Sequence, residues 1–356
     1  MIDVRKALLA CAALAGIGGI ASGQNASPPS GAANPDADRL SEAPLNGMRV
    51  LGSHNSYRPA FTAASLAEQR AVLREQSAGV EYGHPPIARQ LDLGLRQLEF
   101  DPLADPHGGL YAAPYVGQPD RYAAMLRPGP KILHVPFVDR RTLCLTIAEC
   151  LTQVARWSRA HPGHHPIVIT INPSEGHTDN PIMPDLPAFD ETALAAVDAA
   201  ALAAFGPQGL VTPDQVRGRH ASLRDAVTHD GWPSVRATAG KVLLVLDAGG
   251  TVLDRYRHGH ASLRGRVMFG FYPEDAPEAA FLNIQDPRRD ETAIRRAVAA
   301  GFIVRTRADA ETVEARAHDR SRLEAASRSG AQIISTDYYA GADDPLKLNF
   351  VVRLAR

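Results

Sequence analysis

The sequence predicts a single-domain α/β protein built as a (β/α)8 barrel of the TIM type, and three observations favour this fold. Short β-rich runs recur along the 356 residues, with helical or loop segments between them. Several runs are almost continuous in Val, Ile and Leu, as parallel strands covered on both faces require. Polar residues follow the runs directly, at the strand ends where a barrel collects its functional groups. The eight candidate strands span residues 48–51, 97–100, 132–135, 166–171, 241–246, 267–271, 302–305 and 332–335.

Amphipathic helices are expected between several of these strands. Thr146 is a candidate N-cap, because Glu149 follows it three residues later and an apolar stripe follows both. An Ala-rich helix is expected over 191–205 and another helix over 312–329, each ended by a glycine. A doubly wound open sheet is the structural alternative. Such a sheet generally carries a glycine-rich phosphate loop, which this sequence does not contain.

The N-terminus has the three-part pattern of a secretory signal peptide over residues 1–23. Arg5 and Lys6 precede a small apolar run that falls short of the ~20 residues a membrane span needs. Residues 24–44 are rich in Ala, Ser, Pro and Gly with almost no large apolar residue, which predicts a flexible tether. The barrel domain is therefore expected over 45–356, in a secreted or periplasmic protein.

Two cysteines remain once the signal peptide is removed. Cys144 and Cys150 are spaced for a small loop closed by a disulfide, which an oxidising compartment allows. The alternative is a pair of free, buried thiols at the start of a helix. Both readings place the cysteines at the helix that Thr146 caps.

Bulk composition excludes some partners and leaves others open. The formal net charge is −1, so the bulk charge does not favour nucleic acid as a partner. A monomer is expected. Loops 111–122 and 271–281 carry aromatic residues and are candidates for transient contact with a membrane surface. Neither loop is an amphipathic basic helix, the usual pattern of a segment that lies on a membrane.

Three predicted strand ends, far apart in the chain, bring related chemistry together. They provide the histidines His54 and His134, the carboxylates Glu99 and Asp101, and the carboxamide Asn55. Glu99 and Asp101 are separated by one apolar residue in an extended run, so their side chains point to the same face. Two carboxylates held together repel each other unless a cation neutralises the pair. This combination indicates a metal-assisted acid/base site for phosphate esters.

These motifs resemble those of the calcium-dependent, phosphatidylinositol-specific phospholipase C family of bacterial exported enzymes. The resemblance covers about residues 49–339. The motifs that resemble the family lie at residues 52–57, 82–84, 90–101, 133–135, 144–150, 157–162, 301–309 and 329–338.

The resemblance implies an intramolecular phosphoryl transfer. The inositol 2-hydroxyl attacks its neighbouring phosphodiester, diacylglycerol leaves and a cyclic inositol phosphate forms. His54 and His134 would share proton transfer and phosphate stabilisation, with His134 on the leaving-group side. Imidazole suits either role, because its unperturbed pKa lies near neutral pH.

The resemblance also implies a Ca2+ site. Asn55, Glu99 and Asp101 would be its ligands, since calcium takes oxygen donors. After the fourth predicted strand the family commonly places a glutamate as a further ligand, and this sequence has Asn172 there. That exchange removes one formal negative charge, so weaker calcium binding is expected. Glu175 is an alternative source of the missing carboxylate.

Four residues near the C-terminus are candidates for substrate binding. Arg305 and Arg307 share a strand face and would clamp phosphate or inositol hydroxyls through planar donors. The alternative for them is an ion pair with Asp309 or Asp337. Tyr338, beside Asp337, would stack on the inositol ring or pack at the barrel rim.

Two other functions compete with this interpretation. A glycerophosphodiester phosphodiesterase uses a similar barrel, but its first histidine is typically followed by Arg-Gly, whereas Asn55 and Ser56 follow His54 here. A catalytically inert barrel that binds inositol phosphates or lipid headgroups is the third possibility, and Asn172 keeps it open. Release of a phosphate-containing product from a lipid would exclude inertness.

Overall fold

The protein is described here by a computed structural model. The described residues are 40–136, 138–177 and 185–354. The predicted signal peptide, 1–23, and the predicted tether as far as residue 39 lie outside the described residues. Residues 40–44, at the end of the predicted tether, run beside the barrel domain and form an antiparallel bridge between Pro44 and Ser234.

Eight parallel strands form one nearly closed barrel sheet, which confirms the predicted fold class. The strands of the described residues are β1 (Val50–Ser53), β2 (Gln97–Phe100), β3 (Pro102–Leu103), β4 (Lys131–Ile132), β5 (Ile167–Ile171), β6 (Val242–Leu246), β7 (Phe269–Gly270), β8 (Phe281–Asn283), β9 (Ile303–Arg307) and β10 (Ile333–Thr336). The order of the eight parallel strands in the barrel sheet is β7-β6-β5-β2-β1-β10-β9-β8.

The residue types of the central strands explain why they form this sheet. Every residue of β5, with the sequence IVITI, and of β6, with the sequence VLLVL, is buried. β-Branched and aliphatic side chains suit strands that are covered on both faces. The two strands pair in register from Ile167 opposite Val242 to Ile171 opposite Leu246, so their carboxyl ends open at the same edge.

Helices follow or separate the strands along the chain. Those of the described residues are α1 (Ala63–Leu73), α2 (Ile87–Asp92), α3 (Pro119–Met125), α4 (Ile147–Ala160), α5 (Glu191–Phe205), α6 (Pro213–Arg217), α7 (Leu223–Asp225), α8 (Gly250–Arg257), α9 (Pro287–Ala299), α10 (Val313–Ala317) and α11 (Ser321–Ser329). The predicted helix over 191–205 is confirmed. Thr146 caps α4 as predicted, with its side chain accepting a hydrogen bond from the Glu149 N–H at 3.1 Å.

One predicted barrel strand is wrong and another was missed. Of the predicted third strand, 132–135, only Ile132 lies in a strand, β4, which pairs antiparallel with β3 outside the barrel sheet. The chain then turns, with Val135 bridging to Asp139, so His134 lies on this turn. The barrel strand that was missed is β8, Phe281–Asn283, which is too short to stand out as an apolar run.

The predicted helix over 312–329 is two helices. His318 has φ of 51°, in the left-handed region that interrupts an α-helix, and it separates α10 from α11. Gly330 ends α11 in the left-handed conformation, with φ of 82°, as predicted.

The predicted disulfide between Cys144 and Cys150 is present. Their Cα atoms are 5.2 Å apart and both residues are buried at the start of α4. The bridge ties the segment after His134 to the first turn of a core helix.

The two candidate membrane loops keep most of their aromatic rings inside the fold. Tyr111 and Tyr115 are buried in the first loop, and Tyr272 and Phe281 in the second. The exposed large apolar side chain of the first loop is instead Val116, at 67% exposure. Across the described ranges, each helix is too short or too polar to cross a membrane.

Candidate active site

Ionisable side chains converge on the carboxyl ends of the barrel strands, where a barrel presents its site. His54 follows β1, Glu99 lies in β2, and Asp247 follows β6. The remaining members of this group are Arg305, Arg307 and Asp337, from β9 and the end of β10.

The turn after β1 is fixed against β2 by polar contacts. The Ser56 N–H donates to the Glu99 carbonyl at 3.0 Å, and the Glu99 N–H donates to Ser56 Oγ at 2.8 Å. Gln90 Nε2 donates to the Ser56 carbonyl at 2.7 Å. Asn55 has φ of 48°, a left-handed conformation that Asn tolerates better than most residues. This turn therefore holds His54 and Asn55 directly beside Glu99.

Two polar partners orient the first histidine. His54 Nδ1 lies 3.2 Å from Asp337 Oδ1, and His54 Nε2 lies 3.8 Å from Glu99 Oε1. Behind it, His84 Nε2 donates to the His54 carbonyl at 2.6 Å, and His84 Nδ1 lies 3.1 Å from the Tyr339 hydroxyl. Burial lowers the pKa of His84 to about 4, so this support is neutral. His84 therefore supports His54 through the backbone and through Tyr339.

Both predicted catalytic histidines are neutral near pH 7. Burial and then the charge of Arg307 lower the pKa of His54 well below its usual value. Burial and then the charge of Arg58 lower the pKa of His134, and the charge of His54 adds to this effect. For neutral His54, a proton on Nδ1 facing Asp337 leaves the Nε2 lone pair available as a base.

The predicted metal ligands Glu99 and Asp101 share a carboxylate cluster with Asp247. Arg305 Nη2 donates to Glu99 Oε2, and Arg305 Nη1 donates to Asp247 Oδ2 at 3.2 Å. Burial and then the charge of Glu99 raise the pKa of Asp101 well above its usual value, and the charge of Asp247 adds to this. Glu99 and Asp247 thus share one guanidinium, and the carboxyl of Asp101 lies close enough for their charges to raise its pKa.

Two buried oxygens in this cluster fit a cation. Tyr57 donates to Asp101 Oδ2 at 3.0 Å, whereas Asp101 Oδ1 has no hydrogen-bond donor among the described residues. Asn55 Nδ2 donates to the Tyr82 hydroxyl at 2.7 Å, whereas Asn55 Oδ1 likewise has no donor there. Within the described ranges, His, Cys, Asp and Glu form no ready-made metal cluster of three or more. The set of donors, a carboxamide oxygen and carboxylates, still suits Ca2+.

The structure separates the two candidates for the further ligand. The Asn172 N–H donates to the Phe100 carbonyl at 2.9 Å, so Asn172 lies beside the end of β2. The Glu175 carboxylate is held elsewhere: its Oε2 accepts from Arg255 Nη1 at 2.6 Å and from the Phe189 N–H at 2.7 Å. Glu175 is therefore committed away from the cluster.

The residues expected to bind substrate have other contacts. Arg307 Nη2 donates to Asp337 Oδ2 at 3.2 Å, so the ion-pair alternative is correct for this residue. Arg305 pairs with two carboxylates, but they belong to Glu99 and Asp247 rather than to Asp309 or Asp337. The other oxygen of the Asp337 carboxylate, Oδ1, contacts His54 Nδ1.

Tyr338 has the packing role rather than the stacking role. It is 2% exposed, and its ring packs edge to face against Phe350 with centroids 5.8 Å apart. Buried in this way, the ring offers no face to a substrate.

Sequence reasoning missed an ion pair beside the second histidine. Arg58 Nη2 donates to Asp139 Oδ2 at 3.0 Å, both side chains are buried, and the guanidinium lies over the Tyr82 ring at 4.5 Å. The charge of Arg58 lowers the pKa of His134 and that of Asp139 raises it. Arg58 follows the motif that carries His54, but nothing in the sequence links it to a partner 81 residues away.

A parallel barrel with a buried histidine and an oxygen-rich acidic cluster at the carboxyl ends of its strands is typical of barrel phosphodiesterases. The family model for Ca2+-dependent phosphoinositide phospholipase C matches residues 43–356. The chain therefore belongs to this family.

Solved structures agree with the fold. The chain is similar to the calcium-dependent phosphoinositol-specific phospholipase C of a Pseudomonas species, in a myoinositol complex, with a TM-score of 0.55 and 18% identity over 85% of this chain and 93% of that one. It is also similar to the Ca2+-dependent phosphatidylinositol-specific phospholipase C of Streptomyces antibioticus, with a TM-score of 0.52 and 18% identity over 83% and 95% of the two chains. No curated protein matches the chain.

Replacing Asp309 with Asn should change how stability depends on pH. Burial and then the charge of Asp337 raise the pKa of Asp309 to about 7, whereas an unfolded Asp titrates near 4. The folded state therefore keeps a proton that the unfolded state releases, so the fold loses stability as pH rises from about 4 to about 7. Asparagine is neutral throughout, so Asp309→Asn should become more stable relative to wild type across this range.

Urea unfolding at pH 5 and pH 8 measures this effect, with the exposed Asp275→Asn as the matched control. A difference between Asp309→Asn and wild type that is the same at both pH values would contradict the assignment.

Proposed function

We propose that this chain cleaves phosphatidylinositol, or a related inositol phosphodiester, to diacylglycerol and a cyclic inositol phosphate in a calcium-dependent reaction. The single observation that carries the proposal is the arrangement of His54. Its Nδ1 faces Asp337 at 3.2 Å, and its Nε2 lies 3.8 Å from Glu99. Asn55 and Asp101, from the same two strand ends, each have a buried side-chain oxygen with no donor among the described residues. A base is thus held next to an oxygen-rich cation site, as attack by a hydroxyl on a phosphodiester requires.

His54 is assigned the role of base. Its Nε2 takes the proton of the inositol 2-hydroxyl as the hydroxyl oxygen bonds to phosphorus. The imidazolium that forms is stabilised by Asp337 at 3.2 Å and by Glu99 at 3.8 Å. Neutral imidazole at rest, with carboxylates placed to hold the charged form, suits a general base near pH 7.

His134 is assigned to the leaving-group side. The bond from phosphorus to the diacylglycerol oxygen breaks, and His134 gives that oxygen a proton. His134 is neutral in the free protein, so it must gain a proton before it acts. An incoming phosphodiester supplies a negative charge that favours this protonation, as the nearby Asp139 already does.

Asn55, Glu99, Asp101 and Asn172 are the proposed calcium ligands. When bound there, Ca2+ would withdraw negative charge from the phosphate oxygens and stabilise the charge that develops during attack. The chain's own contribution is to hold these oxygens in place through the β1 turn and Tyr57.

Export of the protein and contact with a lipid surface belong to the same proposal. The predicted signal peptide over 1–23, the domain over 45–356 and the disulfide all suit a secreted or periplasmic enzyme. A lipid substrate requires transient contact with a membrane surface, for which Leu110, Val116 and Leu126 offer exposed apolar side chains. A monomer remains the expected state.

The product of the reaction tests the proposal. Incubation with phosphatidylinositol and calcium should give a cyclic inositol phosphate before any open monophosphate, as followed by phosphorus NMR. Excess chelator should abolish turnover. Release of glycerophosphate would favour the glycerophosphodiester phosphodiesterase alternative, and headgroup binding without cleavage would favour the inert barrel.

His54→Ala and His134→Ala should each lower turnover of phosphatidylinositol by at least about 10²-fold, the usual effect of losing a general acid or base. His107→Ala is the matched control, because His107 is an exposed histidine in a loop. Circular dichroism should show an unchanged fold. Near-normal turnover in both His54→Ala and His134→Ala would remove this acid/base assignment.

Asn172→Glu should tighten calcium binding, because it adds a negative charge where Asn172 borders β2. Glu175→Ala should leave calcium affinity nearly unchanged, since Arg255 and the Phe189 N–H already hold that carboxylate. Calcium titration by calorimetry measures both. Weaker binding in Glu175→Ala, with no gain in Asn172→Glu, would assign the further ligand to Glu175.

A further inference from the structure

We propose that Arg305 is a fixed internal cation that holds Glu99 in place and weakens calcium binding at the adjacent site. Arg305 is thus a positioning residue that acts through a calcium ligand. This inference rests on the proposed calcium site.

The contacts of Arg305 show that it is held firmly. Its side chain is 2% exposed. Its three nitrogens donate to three different acceptors: Nε to Ser335 Oγ at 2.9 Å, Nη1 to Asp247 Oδ2 at 3.2 Å, and Nη2 to Glu99 Oε2. A bound substrate would have to break these contacts to reach the guanidinium.

The acceptors are themselves anchored. Asn283 Nδ2 donates to both oxygens of Asp247, at 3.2 and 3.0 Å. Ser335 Oγ donates to Gln97 Oε1 at 2.9 Å. Side chains from β2, β8, β9 and β10 and from the end of β6 therefore lock one guanidinium across the barrel interior. Arg305, which was expected to clamp phosphate, instead holds the carboxylates of Glu99 and Asp247.

The charge count gives this clamp a consequence for calcium. Glu99, Asp101 and Asp247 together carry three negative charges when ionised, and Arg305 offsets one of them. The two that remain equal the charge of one divalent cation. Calcium affinity increases with the negative charge of the site, so the guanidinium lowers the affinity that three carboxylates would otherwise give.

Two effects of removing Arg305 oppose each other. The positive charge disappears, which strengthens calcium binding. The hydrogen bond that orients Glu99 is also lost, and losing a contact that orients a ligand typically weakens metal binding by about 10- to 100-fold. Arg305 and calcium would share the Glu99 carboxylate, so their repulsion acts at short range in a mostly buried site and exceeds the orientation effect. A residue with only a structural role would show weaker binding when removed.

The experiment compares three variants by calorimetric titration with Ca2+ alone, without substrate, at pH 8. Arg305→Gln removes the charge and keeps hydrogen-bond donors, and Arg305→Lys keeps the charge. Arg255→Gln is the matched control, because Arg255 also pairs with a carboxylate, that of Glu175, away from the cluster.

We expect a Kd about 10-fold lower in Arg305→Gln, a Kd within about threefold of wild type in Arg305→Lys, and no change in Arg255→Gln. Without calcium, Arg305→Gln should melt at a lower temperature than wild type, and calcium should raise its melting temperature more. Equal or weaker calcium binding by folded Arg305→Gln overturns this inference and leaves the proposed function intact. Absence of calcium binding in wild type instead overturns the calcium site on which both depend.

Asp247→Asn covers the case in which Arg305→Gln does not fold. It removes one negative charge and lets Arg305 pair with Glu99 alone, so the proposal requires calcium binding at least about 10-fold weaker than in wild type. Unchanged affinity in Asp247→Asn would overturn the inference in that case.

Discussion

The need to neutralise charge buried at the mouth of the barrel constrains the whole site. A closed parallel barrel delivers the ends of its strands to one small volume, and most of the side chains delivered here are ionisable. A buried charge that loses its partner costs several kcal/mol, so each carboxylate must meet a cation or a proton. Arg305 meets Glu99 and Asp247, and Arg307 meets Asp337. Asp309 keeps a proton near neutral pH, because burial raises its pKa to about 7. Burial and then the charge of Glu99 raise the pKa of Asp101, so a cation beside it would be favourable, which is the physical basis for the proposed metal site.

The same pairing sets the state of the histidines. Asp337 is held by Arg307 and therefore offers a stable acceptor to His54 Nδ1. Neutral His84 holds the backbone carbonyl of His54 in place. Burial, and then the charge of Arg307, lower the pKa of His54, so its imidazole is neutral at rest, as the proposed base requires. The arginine that neutralises Asp337 therefore also helps to keep His54 neutral. His134 receives opposing influences from an ion pair of its own, which leaves its protonation open to the charge of the substrate.

Strand ends could be predicted from sequence, whereas cross-barrel contacts could not. Long aliphatic runs identified most barrel strands, because burial on both faces leaves a strong composition signal. The run over 132–135 was misleading, since an apolar segment at a turn and one in a strand look alike, and the short strand over 281–283 gave too little signal. The partners of Arg305 and Arg58 depend on which strand ends meet across the barrel. Tyr338 directly follows Asp337, which faces the site. Only the packed structure shows that the Tyr338 ring is buried.

Two features of this chain act in the same direction on calcium. Asn172 is expected to stand where the family commonly has a carboxylate, and Arg305 pairs with Glu99, one of the carboxylates that remain. Each lowers the negative charge that a cation would meet, so a modest calcium affinity follows from the proposed ligand set. Low-affinity calcium sites are typical of extracellular modules, where calcium is abundant. The proposed export would bring the enzyme to abundant calcium, where a fully acidic site is not needed. Partial neutralisation by Arg305 lets the barrel close around its carboxylates before calcium is bound.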